Sequence, residues 1–191
     1  MVNDVMSTRE KIVSAAYREF SDTGEISMRK TGDALGVTAT AIYHHFRNKQ
    51  QLLDAVGDRA FGVFESRLRP IPAGEPAQII RGILEGYRQF AADNPALFRL
   101  MFVEPRSTAR KFPTDFAAHR SAVFNLLWKS VSDCMAEGGG ESDPDESLHL
   151  AHDLWALTHG QILLWRVGRF NDERTFRDVL GRSIDRFIDT L

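Results

Sequence analysis

Two helical segments inside residues 27–46 are too short to stand alone, and no other feature constrains the chain as much. The first runs from Ser27 to Leu35, a Gly36-Val37 turn follows, and the second runs from Thr38 to about His45. Isolated helices below about 12–15 residues are marginal in water, so both must be propped on neighbours. The second carries Tyr43, His44 and His45 and almost no bulky apolar residue before Ile42. Held outward, such a rod offers small residues flanked by aromatic and basic donors, which suits the DNA major groove. The alternative is a pair of packed short helices inside an all-helical core.

The fold class expected is all-α, with about nine helices. Ser7-Thr8-Arg9-Glu10 is a capping box opening helix one, whose inner stripe is Ile12, Ala15, Ala16, Glu19 and Phe20. Gly24 ends it, and Ser27 and Thr38 cap the two short helices. Asn48-Lys49 opens a fourth helix to about Leu68, and Pro70, Pro72 and Pro76 break the pattern. A fifth helix is expected over 76–92, a sixth from Asn94-Pro95, and a seventh over 114–136. Asp143-Pro144-Asp145-Glu146 supplies cap, first-turn proline and first-turn acids for an eighth. A ninth is expected over 173–190.

Composition excludes more than it selects. No apolar run approaches the roughly 20 residues of a membrane span. The N-terminal residues lack the basic and apolar regions of a secretory signal. The single cysteine, Cys134, allows no intrachain disulfide, which fits a cytoplasmic setting. Net charge is −2, yet residues 1–50 hold seven basic and six acidic groups, so the first part is slightly positive. That permits a local DNA-facing patch without demanding one.

Within 27–49 each residue type suggests a role. Gly36 can take the left-handed turn, while Ala34, Val37 and Ile42 are expected to face inward. Thr38 can cap and meet a phosphate with the helix N-terminus. Ala39 and Thr40 are small enough to approach base edges. Tyr43 and His44 can donate to phosphates, Lys49 can clamp one, Arg47 is an exposed alternative, and Phe46 is expected in the core.

This assembly resembles the TetR family of bacterial transcriptional regulators. The carrying residues are Ile26-Ser27-Met28-Arg29, Ala34-Leu35-Gly36-Val37-Thr38, Ile42-Tyr43-His44-His45-Phe46 and Lys49-Gln50-Gln51-Leu52-Leu53. The resemblance implies a DNA-binding domain over 1–54 and an effector-binding and dimerisation domain over 55–191. It implies phosphate roles for Ser27, Thr38, Tyr43, His44 and Lys49, with Ala39 and Thr40 at the bases. Thr31 and Gly32 depart from it, standing where the family usually has isoleucine and alanine. A helix-interior glycine costs about 1 kcal/mol, so the second helix is expected to be weakened.

The resemblance also implies a small-molecule pocket, largely apolar, for which Phe61, Phe64, Tyr87, Phe90, Met101, Trp128, Trp155 and His159 are the candidates. Most aromatics of 55–191 can equally be ordinary core. Trp155, His159 and Gly160 are similar to a segment of one subgroup of the family. His149, His152, Asp153 and His159 have helical spacing but no third close ligand, so no metal is expected, and no cofactor either.

The eighth helix shows one apolar stripe of Leu148, Trp155 and Ile162 and another of Leu150, Leu154, Leu157 and Leu164. With the amphipathic ninth it is expected to form a four-helix homodimer interface, the alternative being that both helices only close the monomer core. Two reading helices would then lie about one DNA turn apart, roughly 34–36 Å, over a palindromic operator. The expected function is a ligand-responsive regulator, a repressor released by a small apolar effector. The alternatives are an adaptor that works through a protein partner without DNA, and a small helical enzyme. No nucleophile–base pair or phosphate loop supports the last.

Overall fold

The computed structural model describes residues 6–68, 74–139 and 143–191. Ten helices occur among the described residues: α1 (Thr8–Thr23), α2 (Met28–Leu35), α3 (Ala39–His45), α4 (Lys49–Leu68), α5 (Pro76–Asp93), α6 (Pro95–Phe102), α7 (Thr114–Ala117), α8 (Ala122–Glu137), α9 (Pro144–Arg166) and α10 (Glu173–Ile188). No described helix is long and apolar enough to cross a membrane. The chain forms two compact units. One comprises Met1–Phe64 with Ala92–Ala109, and the other Glu65–Ala91 with Arg110–Leu191.

In the first unit the capping box forms as its sequence requires. The Ser7 hydroxyl accepts from the Glu10 N–H at 3.2 Å, and the Glu10 carboxylate accepts from the Ser7 N–H at 2.7 Å. The Ser7 hydroxyl also donates to that carboxylate at 2.7 Å, and this bond with the one from the Ser7 N–H holds the Glu10 carboxyl below the usual carboxylate range. Gly24 ends α1 at φ 74°, a left-handed position that favours glycine. Ile12, Ala16 and Phe20 of α1 are buried, as are Ile42, Phe46, Leu52 and Val56. α6 packs on α1, where Arg99 donates to the Gly24 carbonyl at 3.0 Å.

In the second unit α9 is the central rod, packing on α8 and α10. Asp143 caps it and Pro144 opens its first turn. Leu148, Ala151, Leu154, Thr158 and Ile162 are buried along one side. α10 buries Phe176, Leu180, Ile184 and Ile188. Leu154 therefore belongs with the inner stripe of α9, while Leu164 remains 49% exposed on the outer one.

The continuous seventh helix expected over 114–136 is instead two, α7 and α8. His119 between them has φ 55°. Asn125 donates to the His119 carbonyl at 2.9 Å, and the Arg120 N–H reaches the Asp115 carbonyl at 3.0 Å. The reason lies in the core. Phe116 and Phe124 stack edge to face with centroids 4.7 Å apart. On one straight helix, residues eight apart would stand about 12 Å apart along the axis. Burying both rings together requires the break.

Candidate nucleic-acid interface

The α2–turn–α3 element is built from both ends. Ser27 is extended at φ −130° and its hydroxyl caps α2 through the Lys30 N–H. Gly36 closes the turn at φ 68°, and the Val37 N–H returns to the Gly32 carbonyl at 3.0 Å. Thr38 caps α3 by accepting from the Ala41 N–H at 3.3 Å. Ile42 is fully buried, and Phe46 sits beneath the Arg9 guanidinium, 4.7 Å from its ring centre. These two anchors on one side leave the other side of α3 in solvent.

That outer side presents the residues the sequence nominated. Tyr43 is 51% exposed, and Thr40, His44, Arg47 and Lys49 are exposed with it. Thr38 is exposed as well, while Ala39 and Ser27 are less open to solvent. Lys49 is the first residue of α4, just behind the corner where the Asn48 side chain accepts from the Gln51 N–H at 2.9 Å. The Gln51 side chain in turn accepts from the Arg47 N–H at 2.9 Å. The face thus combines hydroxyl, phenol and imidazole groups along α3 with the ammonium that opens α4, a set that can hydrogen-bond phosphates and approach base edges.

Two inward assignments are corrected. Ala34 is exposed and Val37 is 39% exposed. The turn closes through main chain, the Val37 N–H on the Gly32 carbonyl. A Cβ added at Gly32 would stand 2.8 Å from the Val37 carbonyl oxygen. Gly32 is therefore where the turn closes onto α2, and the helix-weakening glycine has a packing reason.

Thr31 is explained by a residue that sequence reasoning placed only in a stripe. Its side chain is buried, and its hydroxyl donates to Glu19 Oε2 at 3.0 Å. Glu19 Oε1 also accepts from the Ser27 N–H at 3.1 Å. One carboxylate on α1 thus holds the N-terminus and the buried side of α2. The signal was legible as a charged residue inside an otherwise apolar i, i+3, i+4 series.

The candidate ligand residues separate. Phe61, Phe64 and Met101 lie in the first unit, where Phe102 meets the Phe61 ring at 5.3 Å and the Phe64 ring at 6.2 Å. Tyr87, Phe90, Trp128, Trp155 and His159 lie in the second. There the Tyr87 hydroxyl bonds His159 Nδ1 at 2.7 Å, and Trp155 stands 6.0 Å from the His159 ring. Burial pushes the Tyr87 phenol far up and draws the His159 imidazole down, so both are held neutral. Trp155 continues to Phe116 and Phe124. Phe90 is fully buried beneath the Arg67 guanidinium.

Trp128 stands apart from that cluster. Its indole N–H donates to Ser147 Oγ at 2.9 Å and its ring stacks on His119 at 4.8 Å. It lines an open cleft of about 190 Å³ with Asn125, Lys129 and Asp133. His149 and His152 pack against Phe112, with centroids at 5.1 and 4.0 Å. The Cys134 thiol is half-buried and pushed up by burial.

An exposed short helix braced across a glycine turn defines a helix-turn-helix protein. The chain belongs to the TetR family: residues 12–56 match the model for bacterial regulatory proteins of that family, and residues 80–191 match the tetracyclin repressor-like C-terminal domain. The HTH-type transcriptional repressor Rv1353c of Mycobacterium tuberculosis is 30% identical over 125 residues, covering 64% of this chain and 48% of that protein. The chain thus spans about half the length of the curated relative it matches. Two solved structures share the fold. A single-residue variant of TetR from Acinetobacter baumannii AYE, in complex with minocycline, has a TM-score of 0.66 at 17% identity, covering 97% of this chain and 96% of that one. BioQ with its double-stranded DNA operator has a TM-score of 0.60 at 21% identity, covering 96% and 99%.

Proposed function

We propose that this protein is a ligand-responsive transcriptional regulator that represses by binding a palindromic operator as a dimer. The outer face of α3 carries the reading: it is exposed on a rigid anchor, inside the segment that matches the family's regulatory model. Residues 1–54 form the DNA-binding part and 55–191 the effector and dimerisation part. Ser27, Thr38, Tyr43, His44 and Lys49 meet phosphates, and Ala39 and Thr40 meet base edges. The fold likeness to BioQ, whose structure includes its operator, supports the same use of this face.

The effector is small and largely apolar. It meets Tyr87, Trp155 and His159 in the second unit, where two neutral polar groups stand among aromatic walls. Of the other candidates, Phe90 and Trp128 belong to the same unit but Trp128 stands apart from this cluster, and Phe61, Phe64 and Met101 belong to the first unit. Dimerisation uses α9 and α10. Leu164 and Val167 are 49% and 68% exposed, and a Cβ added at Gly160 or Gly181 would meet nothing within 4 Å, so a second copy can approach closely. The protein acts in the cytoplasm, by binding rather than turnover.

The test is a titration of the full chain against a duplex carrying the promoter beside its own gene. Tyr43→Ala with Lys49→Ala is expected to abolish specific binding while leaving helicity intact, since both residues are exposed. Full affinity in that variant would overturn the assigned contacts.

A further inference from the structure

The segment after α6 is tied to α4 by an arginine buried more deeply than a surface tie requires. The Arg106 side chain is 2% exposed. Its Nη2 faces three oxygens: the Asp54 carbonyl at 2.7 Å, Asp58 Oδ1 at 2.7 Å and Thr108 Oγ1 at 2.9 Å. Beside it Ser107 donates to Asp54 Oδ2 at 2.6 Å. Nε is buried with no hydrogen-bond partner, 3.9 Å from Asp54 Oδ1. The guanidinium lies 5.5 Å from the Phe61 ring centre. All these residues belong to the first unit.

The seat for this side chain is cut by glycine. A Cβ added at Gly57 would overlap the guanidinium carbon and stand 2.7 Å from Nε and Nη2. Taking a guanidinium out of water is expensive, and apolar residues of similar volume commonly stabilise a core as well or better. What the charged version adds is direction. A bond to a backbone carbonyl, together with a notch that only glycine leaves open, admits one rotation and one axial position of α4. The grip at Asp54 is five residues from Lys49, about 7.5 Å along the same helix.

We infer, on the DNA-binding reading of the α3 face, that Arg106 is a positioning residue for that binding. It never meets DNA. Through α4 it holds Lys49 where a phosphate can be met, and Ser107 holds Asp54 in place to receive it. A group that merely adds stability would change how much protein is folded. This one changes how the folded protein meets the duplex.

The experiment measures affinity of the full chain for the promoter duplex over a salt series, for wild type, Arg106→Met, Lys49→Ala and the double variant. Arg106→Met is expected to keep its helicity and to bind about 2–30-fold more weakly. Its slope of log affinity against log salt should fall by about one, as if one phosphate contact had gone. Adding Lys49→Ala should change that slope no further. Unchanged affinity overturns the inference, and so does weaker binding with the full slope retained. Should Arg106→Met not fold, Gly57→Ala displaces the guanidinium while keeping the arginine, and the same slopes are expected. Wild-type protein that binds the promoter no better than random DNA sinks the DNA-binding reading itself. Normal wild-type binding with an indifferent Arg106→Met sinks only the positioning role.

Discussion

Replacing Glu19 by alanine is expected to loosen α2 by about 2–4 kcal/mol, and the size follows from two bonds. The carboxylate accepts from the Ser27 N–H at 3.1 Å and from the Thr31 hydroxyl at 3.0 Å. Hydrogen bonds to a charged group contribute about 1.5–3 kcal/mol each. Ser27 is half-buried, so water can replace the first in part. Thr31 is 1% exposed, so its hydroxyl is left buried and unpaired, a loss of about 1–3 kcal/mol. An eight-residue helix has little stability of its own to oppose this. The assay is urea unfolding followed by circular dichroism, with amide hydrogen exchange read over Met28–Leu35. A cycle with Thr31→Val separates the bond from the packing. Because valine removes the stranded donor, the double variant should be less destabilised than the two single losses added together. Additivity within about 0.5 kcal/mol, or a loss below that figure in Glu19→Ala, would refute the strut.

Two further outcomes follow from the same geometry. Gly32→Ala should lower the thermal midpoint, because the gain in helix propensity of about 1 kcal/mol is outweighed by overpacking against the Val37 carbonyl, typically about 1–3 kcal/mol. A raised midpoint would show that the turn yields. For His159, burial draws the folded imidazole below its ordinary 6.5. The unfolded chain then binds more protons as pH falls through 6.5, so the stability contributed by neutral His159 is present above that pH and lost below it. Unfolding midpoints taken from about pH 7.5 down to about pH 5.5 should fall more steeply for wild type than for His159→Gln. Parallel profiles would sink that assignment.

Local chemistry was enough to mark most helices and the exposed outer face of α3. Ser7 with Glu10, Ser27, Thr38, Gly24, Gly36 and Asp143-Pro144 stop or start helices through their own backbone preferences, so they read correctly without any tertiary information. Local pattern misleads at Val37, because a turn residue beside two short helices looks like staple material. The main-chain closure at Gly32 that frees its side chain is invisible until both segments are in space.

What the amino-acid order determined alone was the all-helical class, the short rod from Ala39 to His45 and the donors along it, because capping and periodicity act over about four residues. What only the tertiary structure decided was every partnership across longer separations. Glu19 meets Thr31 across twelve positions, Arg106 meets Asp54 across fifty-two, and Tyr87 meets His159 across seventy-two. The break at His119 is of the same kind, set by two phenylalanines that must share one core. Such pairs depend on which helix faces which, and that is settled by the joint burial of all of them rather than by any segment's own preference.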